Sequence, residues 1–467
     1  LGIGQAEGIE EVRSDKNNFQ NAKFKVKKLP YANFPQSAIR NPQSDFDVIV
    51  IGAGASGMMA AGRAAEMGAR VLLLEKMPLV ALKLGITGKG RCNLTNQGDI
   101  DTFLKSYSPD GRFLRNCLAR FFNQDLMNFF ERRGVPLVVE RGGRVFPKSN
   151  QAGDIVLALL EFVKDNKVNL IKGQAVKEIL VHSGQVEGVE TQNETFKSRA
   201  VILASGGASY PKTGSTGEGF RMAQKAGHTI VPIRPFLIPL KVKEPWVKGL
   251  QGLSLKNVLA TVVINGRKDR SEFGEMLFTH FGVSGPIILT LSGWVADVLK
   301  QGRVEISINL KPVLTQEQLD ERLKRELKTH HLKGLQGILK FLLPNRMIPV
   351  FLALSQIPRD KKGNQITAEE RLRVRTLLTD LRMTVTGTRP LEEAIITAGG
   401  VLLKEVNPKT MESRIISGLF LCGEVLDIQG KTGGYNLQAA FSTGWVAGES
   451  ASLKIQDARY RMQEKST

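Results

Sequence analysis

Residues 45–62 read DFDVIVIGAGASGMMAAG. Val48 to Ile51 are apolar on both faces, as a strand inside a parallel sheet must be. Glycines then follow at 52, 54 and 57, and small residues lead into a helix. The first glycine of such a G-x-G-x-x-G permits the tight turn. The second lets backbone approach a diphosphate, and the third lets helix and strand pack closely. The free N–H groups of the helix start, over Ala55 and Ser56, suit an anion. The next strand, ARVLLLEK, ends in Glu75, whose carboxylate can accept both hydroxyls of a ribose and disfavours a 2′-phosphate. Strand, glycines, helix and acid together predict a dinucleotide-binding βαβ unit.

Working outward, the chain of 467 residues predicts a nucleotide-binding domain built from both chain ends with insertions between them. Residues 1–44 form a polar lead expected to be poorly ordered. Residues 45–230 and 390–467 are assigned to the nucleotide domain, with GDIVLALLEFVKDN and GEGFRMAQKAGH as helices and VILASGG as a buried strand end. Residues 231–314 and 384–389 alternate or carry β-branched side chains, so an inserted, mostly β domain is expected there. Residues 315–383 return to helical period, and TQEQ at Thr315 to Gln318 offers a capping box.

Formal charge is +20, which raises nucleic acid or anionic lipid as partners. The charge is spread along the chain and often alternates in sign, as in ERLKRELK, so nucleic acid is not the expected partner. Phosphorylated or carboxylated small molecules fit better. Three cysteines form no C-x-x-C pair, and five histidines show no H-E-x-x-H spacing, so no metal centre is expected. No apolar run reaches the length of a membrane span and no secretory signal is read at the start, which predicts a cytoplasmic protein. Oligomeric state is not legible.

Glycines far from the first motif suggest a long ligand. Leu203-Ala204-Ser205-Gly206-Gly207 ends a buried strand, and Gly423-Glu424 ends another. Thr432 to Gln438 opens a small-residue helix whose N-terminus can face the carbonyl of a flavin pyrimidine and stabilise its reduced form. FAD is long enough to span these segments from an adenosine end at the first motif. The loop ITGKGRCNLTN, Ile86 to Asn96, is too polar for a core strand and too glycine-rich for a stable helix. It is read as the bend beside the flavin end. Only one G-x-G-x-x-G occurs. GASYPKTGSTGEG lacks the strand–glycine–helix order, so nicotinamide, if used, enters the same cleft.

EKMPLVALKLGITGKGRCNLTN, GGRVFPKS, FTHFGVSGP, TAGGV, NPKTMES and GEVLDIQGKTGGYNLQAAFSTG together resemble one bacterial family. It is the HI0933-like or aminoacetone-oxidase-like family of NAD(P)/FAD-dependent oxidoreductases, which includes the bile-acid-inducible flavoprotein reductases. The resemblance implies an α/β fold: a glutathione-reductase-like FAD-binding Rossmann domain with an inserted β-barrel and a helical subdomain. It implies FAD as cofactor, with NAD(P)H as transient electron donor. It places Gly52, Gly54 and Gly57 at the diphosphate, Glu75 at the adenosine ribose, and Lys76 and Lys83 beside the cofactor. Thr87, Gly90, Arg91, Cys92 and Asn93 lie in the loop past the flavin, and Val176 meets adenine. Gly423, Glu424, Gly434, Asn436 and Leu437 close on the ribityl chain and flavin. One departure is visible: members commonly carry a glycine and a basic residue before Lys-Leu, where this chain has Val80-Ala81-Leu82 before Lys83.

The expected activity is NAD(P)H-driven reduction of a small organic acceptor, such as a conjugated C=C compound, by hydride transfer through flavin N5. A flavin oxidase or dehydrogenase of a small amine competes with it, as does an RNA-linked flavoprotein. Candidate catalytic residues each have a plain alternative. Arg91 is a carboxylate grip or an ordinary salt bridge. Cys92 is a redox thiol or a small buried residue. His280, in FTHFG, is a proton donor or a structural histidine. Tyr435 donates a hydrogen bond in the pocket or serves the backbone.

Overall fold

The computed structural model describes residues 46–464. The polar lead expected over residues 1–44 lies outside them. Two compact units emerge, one holding residues 237–389 and the other holding the chain on either side of it.

The larger unit is built on a five-stranded parallel sheet. Its strands are β1 (Val48–Ile51), β2 (Val71–Glu75), β3 (Asn169–Lys172), β4 (Ala200–Leu203) and β5 (Leu419–Leu421), in the order β5-β4-β1-β2-β3. β1, β4 and β5 are buried along their whole length, which is why they read as unbroken apolar runs. Helix α1 (Ala55–Glu66) crosses from β1 to β2, and helix α2 (Tyr435–Glu464) follows β5 and closes the chain. Both helices are rich in glycine and alanine because they touch backbone to backbone. A Cβ on Gly444 would stand 2.4 Å from the Ser56 carbonyl oxygen, and one on Gly448 would stand 2.3 Å from that of Ala60. The far end of α2 is tied down by Arg459, which donates to Asp47 at 2.7 Å, beside a second contact from Arg70. Burial works to raise the Asp47 pKa, but the bonds and charges of Arg70 and Arg459 outweigh it and hold the carboxyl below its ordinary value.

The smaller unit contains a closed six-stranded barrel: Leu240–Val242, Gly282–Ser284, Arg267–Phe278, Ser254–Ile264, Val304–Asn309 and Leu381–Thr388, in spatial order. Helices Gln316–Thr329, Leu335–Leu339, Ile348–Ser355 and Ala368–Thr379 fill the stretch between its last two strands in sequence. The capping box at Thr315 is made from both sides: Thr315 Oγ1 accepts from Gln318 N, and Gln318 Oε1 accepts from Thr315 N. The stretch expected to be mostly β also holds a helix, Pro286–Val298. Its sequence, PIILTLSGWVADV, is apolar nearly all round, and such a run has no period that separates strand from helix. The change of pattern at Val231 does not coincide with the unit boundary. Strand Ile230–Phe236 pairs with Ile396–Val401, and both belong to the larger unit. No helix of the described residues is long and apolar enough to cross a membrane.

Candidate functional site

The three motif glycines have three different surroundings. Gly52 has φ +100°, and a Cβ there would lie 2.7 Å from the Ala204 carbonyl oxygen. A Cβ on Gly57 would overlap the Gly52 carbonyl at 1.8 Å, so this glycine permits helix and strand to touch. Around a Cβ on Gly54 there is nothing within 4 Å. The open space therefore lies over the middle glycine, at the N-terminus of α1, where helix amides have no intrahelical partner. Ala55 and Ser56 begin that helix.

Glu75 ends β2 beside this opening. Its Oε2 accepts from Ala53 N and its Oε1 from Met77 N, both at 2.8 Å. Burial raises its pKa, and those two backbone bonds act against the shift. A carboxylate has lone pairs beyond these two bonds for ligand hydroxyls. Lys76 turns away from it, donating to Thr216 Oγ1 at 2.6 Å and to Glu218 at 2.5 Å. Val176 starts the strand Val176–His182 and pairs with Thr191. The Ala204-Ser205-Gly206 turn leaves β4, with Gly206 at φ +75°.

A helix reaches into the glycine-rich bend as far as Ile86. Thr87 leaves helical geometry at ψ 149°, and Gly88, Lys89, Gly90 and Cys92 then take positive φ. The Thr87 carbonyl accepts from Cys92 N at 3.0 Å and so closes the bend. A Cβ on Gly90 would meet nothing within 4 Å. The departure before Lys83 has a backbone cost. Ala81 caps this helix at φ 52°, ψ 28°, a left-handed conformation that favours glycine. Ala81→Gly is expected to leave stability within about 0.5 kcal/mol of the parent, read from a urea midpoint, because relief of ~1–2 kcal/mol of left-handed strain is offset by a more flexible unfolded chain and by the loss of a buried methyl worth about 0.8 kcal/mol.

This bend and the start of α2 are in contact. A Cβ on Gly434 would stand 2.3 Å from the Thr95 carbonyl oxygen. The Asn93 amide, oriented to satisfy both neighbours, accepts from Gly434 N at 3.1 Å and donates to Thr95 O at 3.3 Å. Thr95 Oγ1 donates to Gln438 Oε1 at 2.6 Å, and Asn96 Nδ2 donates to Gly433 O at 3.2 Å. Asn436 serves the backbone: it accepts from Gly430 N at 2.7 Å and donates to Gly430 O at 2.8 Å. Leu437 packs against the core of the larger unit.

Close by in sequence to Gly423, whose own Cβ would stand 2.4 Å from Ser56 Oγ, Glu424 is held by several donors. Lys83 Nζ donates to its Oε2 at 2.7 Å and also to Ser209 Oγ at 2.8 Å. Thr397 N donates to its Oε1 at 2.7 Å. Lys83 and Glu424 thus form one ion pair, each about a fifth exposed.

The candidate catalytic groups have different surroundings. Arg91 is engaged by Glu140, donates to Asn150 Oδ1 at 2.7 Å, and lies over the Phe146 ring at 4.2 Å, so its contacts are those of a structural arginine. Tyr435 packs edge-on to Phe103 at 4.8 Å, and its carbonyl accepts from Tyr107 OH. His280 belongs to the barrel unit, exposed in the turn after Phe278. Cys92 is fully buried, and burial pushes its thiol up to about 12 against a bond with Thr87. Cys117 and Cys422 are buried and pushed up to about 12 in the same way. No cysteine thus presents a thiolate near neutral pH. A thiol reagent is expected to label none of the three in the native protein at pH 8 and all three in denaturant; rapid native labelling of Cys92 would restore it as a redox group.

Sequence reasoning missed Thr95, Asn96, Ser209, Thr397 and Gln438. Thr95 and Asn96 lie inside the quoted bend, and Gln438 is a long polar side chain, bonded to Ser442, in a helix of mostly small residues. That last oddity was the available signal.

This donor set fits FAD. An open approach over Gly54 meets helix amides, a half-buried carboxylate lies beyond it, and a second helix N-terminus closes on a glycine bend. The family profile described as the HI0933-like protein Rossmann domain matches residues 46–450. The chain is 33% identical over 410 residues to the 3-dehydro-bile acid Δ4,6-reductase of Clostridium scindens, covering 86% of this chain and 98% of that protein. It is 30% identical over 404 residues to the ribosomal RNA dihydrouridine synthase of Escherichia coli, covering 86% and 97%. The protein of that name from Haemophilus influenzae is 29% identical over 413 residues, covering 86% and 98%. With a match this long, the chain belongs to the HI0933-like family of Rossmann-fold, FAD-dependent oxidoreductases.

Proposed function

We propose that the protein reduces a carbon–carbon double bond conjugated to a carbonyl, using FAD and drawing its electrons from NAD(P)H. The observation that supports this most is the seam between the Ile86–Asn96 bend and the start of α2. It brings together two segments distant in sequence at the place where a flavin ring needs walls. The names of the relatives agree on the chemistry. A Δ4,6-reductase acting on a 3-dehydro substrate saturates an unsaturated ketone, and dihydrouridine is uridine whose ring double bond, conjugated to a carbonyl, has been saturated.

In this reading the α1 N-terminus and the opening over Gly54 take the diphosphate, and Glu75 takes the adenosine ribose. The Val176 strand lies on the adenine side. The Ala204–Gly206 turn, Gly423 and the Lys83–Glu424 pair line the middle of the cofactor. Thr87, Gly90 and Asn93 line the bend side, and the first turn of α2, with Gly434 and Leu437, faces the pyrimidine. Bound FAD supplies the centre that accepts hydride from the nicotinamide and passes it to the acceptor. The chain's own contribution is to orient both partners and to place positive helix ends where negative charge accumulates. A dithiol relay has no support, since all three cysteines are buried with raised pKa values. A cytoplasmic site of action is part of this proposal.

The test is anaerobic. NADPH or NADH should bleach the flavin absorbance, and an α,β-unsaturated ketone added next should restore it with formation of the saturated product. Bleaching by small amines in place of nicotinamides, with peroxide formed in air, would favour an amine oxidase instead. A second reading, uridine within RNA as the acceptor, draws on the charge of +20 and on the two ribosomal RNA relatives. RNA that co-purifies and gains dihydrouridine on incubation with NADPH would decide for it.

A further inference from the structure

Among the side chains that hold the seam between the bend and α2 is one buried asparagine to which none of the relatives' names assigns a role. Asn96 is 5% exposed, and both ends of its amide are used. Nδ2 donates to Gly142 O at 2.9 Å and to Gly433 O at 3.2 Å, while Oδ1 accepts from Gly98 N at 3.0 Å. Its backbone is fixed as well. Asn96 O accepts from Asn123 Nδ2 at 2.8 Å, and the residue pairs with Arg144 in a short antiparallel ladder. Gly143 answers its position, since a Cβ there would lie 2.7 Å from Asn96 Oδ1. Asn96 is therefore rigid and joins three segments: the bend, the hairpin at 140–144 and the turn before α2.

That turn needs such a hold. Gly433 and Gly434 have φ of +122° and +102°, and two consecutive glycines in this region leave the backbone free to swing. Gly434 N is held by Asn93 and Gly433 O by Asn96, one bond on each side of the peptide link between them. The next residue begins α2, whose first-turn amides have no partner inside the helix. Their value to a bound group depends on where they point. A helix terminus acts on charge only within its first turn, and misplacement of about 1 Å can cost 100-fold in a positioned contact.

We propose that Asn96 is a positioning residue that fixes the Gly433–Gly434 turn, and through it sets both the affinity for FAD and the reduction potential of the bound flavin. The proposal rests on the flavin lying at this end of α2 and not on which acceptor is reduced.

The experiment uses the full-length protein, FAD and no acceptor. FAD affinity is measured by fluorescence titration and the midpoint potential by reductive titration against a dye. Asn96→Ala is expected to weaken FAD binding about 10-fold. It should weaken binding of the reduced form about 10-fold more, which is a midpoint about 30 mV more negative for a two-electron couple. Asn123→Ala serves as the structural comparison, because it cuts bonds to Asn96 O and Gly98 O but none to the glycine turn. It should leave the potential within a few millivolts of the parent, on the order of a tenth of that shift. If Asn96→Ala does not fold, Asn96→Ser carries the same expectation, since its hydroxyl is too short to reach Gly433. An unchanged potential in the folded Asn96 variant, or equal shifts for Asn96 and Asn123 variants, overturns the proposal. Failure of every enone as acceptor would sink the reductase reading and leave these two measurements untouched.

Discussion

Gly54→Asp is expected to give a folded, colourless protein. Gly54 caps α1 at φ −84°, ψ −169°, a conformation open to any residue, and among the described residues no atom beyond its own neighbouring backbone lies within 4 Å of the position a Cβ would take. Aspartate is moreover among the preferred residues at a helix N-cap, so the apo protein should melt at or slightly above the parent temperature. The same carboxylate would fill the opening and repel a diphosphate. A loss of FAD affinity of at least about 100-fold, or ~2.7 kcal/mol, is expected. Flavin retained at parental stoichiometry would show that the cofactor does not pass over Gly54. The neighbouring glycine supplies the contrast. Gly57→Ala places a methyl 1.8 Å from the Gly52 carbonyl oxygen, so loss of flavin there would report damage to the fold and not to the site.

Gly448→Val should be strongly destabilising. Its side chain would enter the backbone of α1 at Ala60, where even a Cβ has 2.3 Å. Backbone cannot yield as a flexible side chain does, so α2 must lift off α1. Overpacking of this kind costs about 3 kcal/mol. The loss should appear as a lower urea midpoint in apo protein, together with poorer flavin retention, because the lifted helix also carries the turn at Gly434. A midpoint unchanged within error would mean that the two helices do not meet through this glycine. Gly444→Val, one turn nearer the site against the Ser56 carbonyl, should affect flavin retention more strongly for the same loss of stability.

Much of this was legible in the sequence because the constraints are local. A strand buried on both faces, a glycine that must turn and an acid at the end of the next strand can be read within thirty residues or so. The meeting of the bend with the C-terminal helix was also expected, from the length of the ligand that both segments suit. The bonds that secure the meeting were not legible. Asn96, Thr95 and Gln438 act across more than three hundred positions, and an asparagine that joins three segments looks in sequence like any asparagine in a loop. The helix Pro286–Val298 was hidden for another reason: an all-apolar run carries no period. Arg91 shows the limit for chemistry. A guanidinium in a glycine loop can grip a ligand or hold the loop, and its bonds to Glu140 and Asn150 and its place over Phe146 could not be read from the sequence.

The partnership of α1 with α2 also orders events during synthesis. The first helix leaves the ribosome well before the surface it must lie against, which is made only after the whole barrel unit. At ~10 residues per second, roughly forty seconds separate the two. Until then the face of α1 at Ser56 and Ala60 has nothing to lie against, and the seam at Gly434 does not exist. If FAD lies as proposed, a ribosome stalled anywhere upstream of Tyr435 would display a protein that lacks this helix and is unable to turn yellow.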